Sequence, residues 1–493
     1  MSLTRKVGMM TLGQGINVVV NILFLPYMAR ALSYEEYGSY GQALLVTSVV
    51  ATFLTLGLPQ LLNVYLADDR KDNRTSLSNN LFTSLLLGLV GAIITYLTAD
   101  WFGSIFDNTA LPYLLKILSL SILFSIPFAS LNSFFIYTGK VKLSVILSVL
   151  TNILKIILVV LSIQFFKSLP LALASMVLIS FLQLVIALLY ARKALVYQFN
   201  SREIKQQILE GFPLGMTGVI AMVILYTDST MISVMLDIKE YAIYRNGAIE
   251  VPFVSTLYGS IAAIVLPEVA KFWQKGKIDE LFQLKKKVIM NTIYLLYPIL
   301  IFLIFNAQSI ITLYLGDKYA DSAVVFAVFN LTLLIRVNYY ADVLISAKMN
   351  KYILKVYLFV VLFNFIFNYF LINIYGSVGA AGSTVLSIAV LSALLLRKTL
   401  IISNKKLKDL VESKKIFIVL LSTVSVGFFM YFITKPINNE FIKLLTFFFG
   451  YTICIVLFFN HMNYFSKEIY LSLIPSRLIP FFNKKSRRKN DIK

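Results

Sequence analysis

Fourteen stretches of this chain are long and apolar enough to cross a bilayer as a helix, which takes about 20 residues. They fall at 8–29, 38–66, 79–99, 113–137, 143–166, 171–191, 211–235, 246–270, 288–313, 322–347, 356–374, 379–396, 416–434 and 441–463. The pattern predicts an all-α membrane protein with fourteen transmembrane helices. Runs such as Leu85–Leu97 are continuously apolar, whereas the strands of a membrane barrel alternate. Composition agrees, because 58% of the 493 residues are hydrophobic and 14% are charged. A soluble surface draws on roughly 25% charged residues, and disorder requires low hydrophobicity. The first run follows Arg5 and Lys6 as a signal peptide would. It contains Pro26, lacks a small-residue cleavage site and leads straight into the next run, so it reads as a helix.

Several chemistries are unexpected here. The single Cys454 and the single His461 leave neither a disulfide framework nor a Cys- or His-built metal site, so no cofactor or metal is expected. Gly13-Gln14-Gly15 lacks the strand, spacing and Lys of a phosphate loop. The pair Asp68-Asp69 suggests the metal-binding acids of a glycosyltransferase, but Arg70, Lys71 and Arg74 crowd it and favour a charged turn. The connections are short, the longest being Asp100–Pro112 and Arg397–Lys415. No nucleotide-binding domain is expected among them, which argues against an ABC-type pump.

Basic residues orient the spans. With the N-terminus in the cytoplasm, the cytoplasmic segments hold 35 Lys and Arg and the opposite segments 7. Such a bias over short loops is the positive-inside pattern, and it predicts that both termini are cytoplasmic. The tail Lys484–Lys489 is expected to meet anionic lipid, worth about 1 kcal/mol per residue near the surface, rather than nucleic acid.

The chain also repeats itself. Leu32-Ser33-Tyr34-Glu35-Glu36-Tyr37-Gly38-Ser39-Tyr40 reads like Leu236-Asp237-Ile238-Lys239-Glu240-Tyr241-Ala242-Ile243-Tyr244, and each is followed by an apolar run closing on Leu-Pro, at 58–59 and 266–267. Arg-Lys recurs at 192–193 and 397–398, and Asn152 has a counterpart in Asn364. Six spans separate the copies, so the repeats are parallel and related by a pseudo-two-fold axis along the membrane normal. The predicted organisation is a six-helix lobe at 1–193, a cytoplasmic linker at 194–210 and a second six-helix lobe at 211–398. A loop with two extra helices follows at 399–463, then a basic tail at 464–493.

Three clusters carry a family resemblance. Ala29-Arg30-Ala31-Leu32 with Tyr37-Gly38 resembles the entry motif of bacterial polysaccharide flippases, the Wzx-type branch of the multidrug/oligosaccharidyl-lipid/polysaccharide exporter superfamily. Asp228 with Leu236 and Ala242-Ile243-Tyr244 is similar to their signature across spans 7 and 8. Asn364, Asn368, Leu371-Ile372, Tyr375-Gly376 and Gly379-Ala380-Ala381-Gly382 resemble that across spans 11 and 12. The resemblance covers most of residues 5–400. It implies two lobes around a cavity in a bacterial inner membrane. The implied substrate is an undecaprenyl-pyrophosphate-linked glycan moved to the outer leaflet, with other polysaccharide-assembly membrane proteins as candidate partners. The sequence departs from the lipid II branch, which has denser Arg and Gly patterning early in span 1. It also departs from the drug exporters, which carry an acidic residue there.

Charges within spans cost about 2.5–3.5 kcal/mol each on insertion scales, so each needs an account. Lys155 lies on a polar stripe with Ser148, Asn152 and Ser162 at helical spacing. Arg336 lies amid the tenth run, with Tyr340 one turn on and Asp342 nearby. Under the resemblance, Lys155 and Arg336 offset the pyrophosphate charge, Arg with a fork suited to phosphate. The alternative is ion pairing with Asp342 or Asp228. Asp228, Glu250 and Asp342 are candidates for proton or sodium coupling, although Glu250 also lies beside Asn246 and Arg245 as a structural pair would. Asn17 and Asn21 continue one face of the first span from Gln14 and suit either sugar or helix contact. Arg30 is shallow and is singled out by the motif alone. Tyr339 and Tyr340 are candidates to stack on a sugar. Two other classes stay open: an ion-coupled small-molecule exporter, which shares the architecture, and a polysaccharide polymerase or ligase, which wants a larger external loop.

Overall fold

A backbone in lipid must satisfy its own hydrogen bonds, and every regular element among the described residues is helical. The computed structural model describes residues 3–66, 72–196, 200–251, 254, 265–266, 268–338, 340–462 and 464. Asp68-Asp69, Tyr339, most of the run 246–270 and the tail Lys484–Lys489 lie outside them. Among the described residues ten helices are long and apolar enough to cross a membrane, as a multi-pass membrane protein requires.

The described residues fall into two compact units. One runs to Asn246 and includes Phe365–Ala380; the other holds Gly247–Asn364 and continues from Ala381.

The first unit begins with α1 (Leu3–Ala31), α2 (Tyr34–Thr55), α3 (Leu58–Leu66) and α4 (Asn73–Leu97), then α5 (Ala99–Ile105) and α6 (Leu111–Tyr137). It continues with α7 (Val141–Phe166), α8 (Leu169–Ala191), α9 (Ser201–Met235) and α10 (Ile238–Gly247). A capping box starts α2: Ser33 Oγ accepts from the Glu36 amide at 3.1 Å while Glu36 accepts from the Ser33 amide at 2.9 Å. The run 38–66 is two helices rather than one, because Leu56 and Gly57 both have positive φ. Gly211 and Gly215 of α9 sit against the Leu56 backbone, where a Cβ on either would approach within 2.6 Å. Small residues one turn apart permit that approach. The start of α9 is bound to α4, since Ser76 Oγ and Asn79 Nδ2 both donate to Glu203 at 2.7 Å. Leu62, Leu77, Leu131, Phe135 and Ala187 make one buried core among α3, α4, α6 and α8.

The second unit holds α11 (Ile278–Phe305), α12 (Ala307–Leu315), α13 (Ser322–Asn330), α14 (Asp342–Ser346), α16 (Ser413–Thr434) and α17 (Glu440–His461). Helix α15 (Asn350–Ser403) contributes its two ends, while its stretch Phe365–Ala380 is counted with the first unit. It carries two of the predicted runs across a kink at Gly376, where φ is 57° and ψ is −139°. The run 322–347 was expected to be one helix and is instead broken between α13 and α14. Its freed carbonyls find side chains: Tyr297 Oη donates to Leu334 at 3.1 Å and Tyr340 Oη donates to Ile335 at 2.8 Å. Irregular backbone at membrane depth persists where such partners exist. The extra pair α16 and α17 packs on α11 through Phe305–Phe428 and Phe302–Phe447, with centroids 4.9 and 5.9 Å apart.

Candidate functional site

In the first unit, α1, α2, α7 and α10 meet around a cavity of about 230 Å³. Asn21 comes from α1, Tyr37 and Tyr40 from α2, Lys155 from α7 and Arg245 from the last turn of α10. Asn21 and Lys155 also line a second cavity of about 280 Å³ with Asn17, Ser148, Asn152 and Gln183. Asn152 Nδ2 donates to Asn17 Oδ1 at 3.1 Å, and Gln183 Nε2 donates to Thr151 at 2.8 Å. The stripe expected from helical spacing is therefore real along Ser148, Asn152 and Lys155. No carboxylate lines either cavity among the described residues. Lys155 has no ion pair or hydrogen bond among them. Asp228 accepts instead from Tyr244 Oη at 2.9 Å and from Asn368 Nδ2 at 2.6 Å. Two residues from separate clusters of the resemblance, Asp228 and Asn368, are thus bonded together.

Arg245 is the residue that sequence reasoning passed over, having been counted with the external loops. Its guanidinium carbon lies 5.1 Å from the Tyr37 ring centroid and 5.2 Å from that of Tyr40, within cation–π range. Its Nη1 is buried with no hydrogen-bond partner among the described residues. The duplicated motif held the available signal, since the register aligning Leu32 with Leu236 sets Gly41 opposite Arg245.

The second unit corrects the pairing around Arg336. Its Nη1 meets Glu250 at 2.5 Å, with both side chains roughly a quarter exposed, at 29% and 27%. Asp342 is not its partner: Lys285 holds Asp342 at 2.5 and 2.7 Å, and the same Nζ donates to Asn338 at 3.0 Å. Both members of that pair are 1% exposed. Glu250 likewise joins Arg336 rather than Arg245. Arg336 and Tyr340 line a cavity of about 250 Å³ with Tyr357 and Ser392. Arg30 ends α1, where a cation suits the helix dipole, and it is exposed and lines none of these three cavities. Among the described residues no cluster of three His, Cys, Asp or Glu is placed to hold a metal ion.

The first unit thus gathers two cations, amide side chains and tyrosine rings around its cavities. A family model described as "Polysaccharide biosynthesis protein" matches residues 3–273. Among curated proteins none matches. Of solved structures, the lipid II flippase MurJ in an inward closed conformation is similar at TM-score 0.71 and 18% identity, over 93% of this chain and 99% of that one. An inward-facing multidrug resistance MATE family transporter of the MOP superfamily is similar at 0.63 and 13%, over 79% and 94%. A MATE transporter of Vibrio cholerae follows at 0.56 and 11%, over 80% and 96%. Likeness at these identities shows the fold. With more than half of its length matched by the family model, the chain belongs to the polysaccharide biosynthesis protein family, as a multi-pass membrane protein with the fold of the MurJ and MATE transporters.

Proposed function

We propose that the protein is a flippase that moves an undecaprenyl-pyrophosphate-linked oligosaccharide from the cytoplasmic to the outer leaflet of a bacterial inner membrane. The glycan is a repeat unit of O-antigen, capsule or another exopolysaccharide. The observation that carries this reading is the joint lining of one cavity by Lys155 and Arg245, with no carboxylate in that lining among the described residues. Two cations unmatched by acid in apolar surroundings are costly unless an anion visits. The pyrophosphate of a lipid-linked sugar is such an anion, and it needs charge compensation to cross low dielectric. Asn17, Asn21, Asn152 and Gln183 supply donors and acceptors of the kind that hydroxyl-rich sugars use. The MurJ structure it resembles is named as a lipid II flippase.

Transport is proposed to proceed by alternating access with both termini cytoplasmic, as the basic-residue bias favours. Coupling to a proton or sodium gradient is assigned to Asp228, which accepts from Tyr244 and Asn368, and to Glu250, partly exposed beside Arg336. Asp342 is committed to Lys285. Arg336 and Tyr340 offer a further contact for sugar in the second unit. The test is the fate of the lipid-linked intermediate in cells lacking the protein. A flippase leaves unpolymerised intermediate trapped on the cytoplasmic side, and restoring the gene clears it. Absence of any trapped intermediate, with small-molecule resistance altered instead, overturns the reading in favour of an exporter.

A further inference from the structure

The two copies of the repeat do more than resemble each other. They touch, and they touch at equivalent positions. In the register that pairs Tyr37 with Tyr241 and Tyr40 with Tyr244, Gly41 is the counterpart of Arg245. A Cβ on Gly41 would come within 2.2 Å of Arg245 Nη1, 3.0 Å of its Cδ and 2.8 Å of the Tyr241 ring. One position of the motif thus needs the space that its own copy fills. Tyr37 and Tyr40 flank the guanidinium from the first copy. Tyr37 is itself fixed, because its hydroxyl donates at 2.8 Å to Asn246 Oδ1, the residue after Arg245.

We propose that the two repeat copies share a single cation position, in which Gly41 is the vacated copy and Tyr37, Tyr40 and Gly41 are positioning residues that aim Arg245 into the cavity it lines with Lys155. The asymmetry follows from volume. Two guanidinium groups cannot occupy one space, and like charges there would repel. One copy therefore carries the charge and the other the hole. The tyrosine faces hold the cation through their ring quadrupoles without neutralising it, as a carboxylate would. Nη1 is packed against Gly41, while Arg245 still lines the cavity beside Lys155, so its charge is left to an anionic visitor there. This inference rests on the proposed function for the nature of that visitor.

The experiment measures binding of undecaprenyl pyrophosphate to the purified full chain in detergent, alongside protein amount in the membrane. The variants are Arg245→Gly, Gly41→Ala, Gly41→Arg, the double Gly41→Ala/Arg245→Gly and the exchange Gly41→Arg/Arg245→Gly. Arg245→Gly is expected to weaken binding about tenfold or more, as loss of a charge-assisted contact does. Gly41→Ala keeps both cations yet weakens binding as well, and its effect disappears in the Arg245→Gly background because both act on one group. Gly41→Arg alone lowers protein amount, and the exchange recovers both amount and most of the binding. Should Gly41→Ala fail to accumulate, the double with Arg245→Gly is expected to restore it. Normal binding by Gly41→Ala, additive losses, or an exchange no better than Arg245→Gly overturns the shared position. Normal binding by Arg245→Gly, with Gly41→Arg still rescued in amount by the exchange, overturns the pyrophosphate reading and leaves the shared position standing.

Discussion

Lys285 holds Asp342 at 2.5 Å with both side chains 1% exposed, and the same ammonium donates to Asn338 at 3.0 Å. The pair joins α11 to the short helix that resumes after the break in the run 322–347. Removing one partner strands the other charge, at a cost of about 3–5 kcal/mol, whereas replacing both with apolar residues is often neutral or better. Lys285→Ala and Asp342→Ala are each expected to lose most of the membrane-inserted protein, and Lys285→Met/Asp342→Leu to regain it. Equal losses in the singles and the double would falsify the pair as the anchor of the break.

The Arg336–Glu250 pair is predicted to behave otherwise. Both side chains are roughly a quarter exposed and Arg336 lines a cavity, so the pair is expected to be worth less than the buried one, nearer the roughly 0–1 kcal/mol of an exposed pair. Arg336→Ala is expected to accumulate normally and unfold within a few degrees of the wild type in detergent. A fall in Tm matching that of Lys285→Ala contradicts this ranking.

Two glycines of α15 separate conformation from packing. Gly376 occupies a backbone region that other residues enter at a cost of order 1–3 kcal/mol, and Glu240 accepts from the next amide, Ser377, at 3.3 Å. Gly382 is helical, and a Cβ there would meet nothing within 4 Å. Gly376→Ala should therefore lower thermal stability, while Gly382→Ala should hold or raise it by up to about 1 kcal/mol. Thermal unfolding of both variants decides, and loss at Gly382 equal to that at Gly376 speaks against the kink.

Acid should loosen the loop before α16. Glu412 bonds Lys415 at 2.6 Å and Lys286 at 3.3 Å. The hydrogen bond to Lys415 foremost, aided by that to Lys286 and against partial burial, holds the Glu412 carboxyl below the usual 4.5. A lowered folded-state value gives stability that is present above the unfolded-state value and lost as pH falls through the folded one. The wild type should thus exceed Glu412→Gln in Tm at pH 7, with the gap closing below about pH 4. A gap that persists at pH 3 points to a role other than charge.

How far the sequence speaks depends on the range of the interaction. Apolar runs are local, so most of the helices and the polar face of α7 were legible. Asp228 and Asn368 were each singled out, but their bond spans 140 positions and no local pattern encodes it. Lys285 was assigned to a loop because hydropathy registers its charge and not the Asp342 that meets it inside the unit. Arg245 was missed for the same reason, since only the fold brings it against Tyr37 and Tyr40. The break after α13 was hidden because Leu331–Leu334 is as apolar as a helix, and what holds it open are single bonds from Tyr297 and Tyr340.

The most direct test of the central claim is leaflet sidedness in reconstituted vesicles. Undecaprenyl-pyrophosphate-linked oligosaccharide is placed in one leaflet, and its arrival in the other is followed with a membrane-impermeant sugar-modifying reagent. Wild-type protein is expected to move it. Lys155→Ala and Arg245→Ala, inserted in equal amounts, should move it at least tenfold more slowly. Unchanged transfer by Lys155→Ala/Arg245→Ala at equal protein would contradict the cationic cavity as the path of the pyrophosphate.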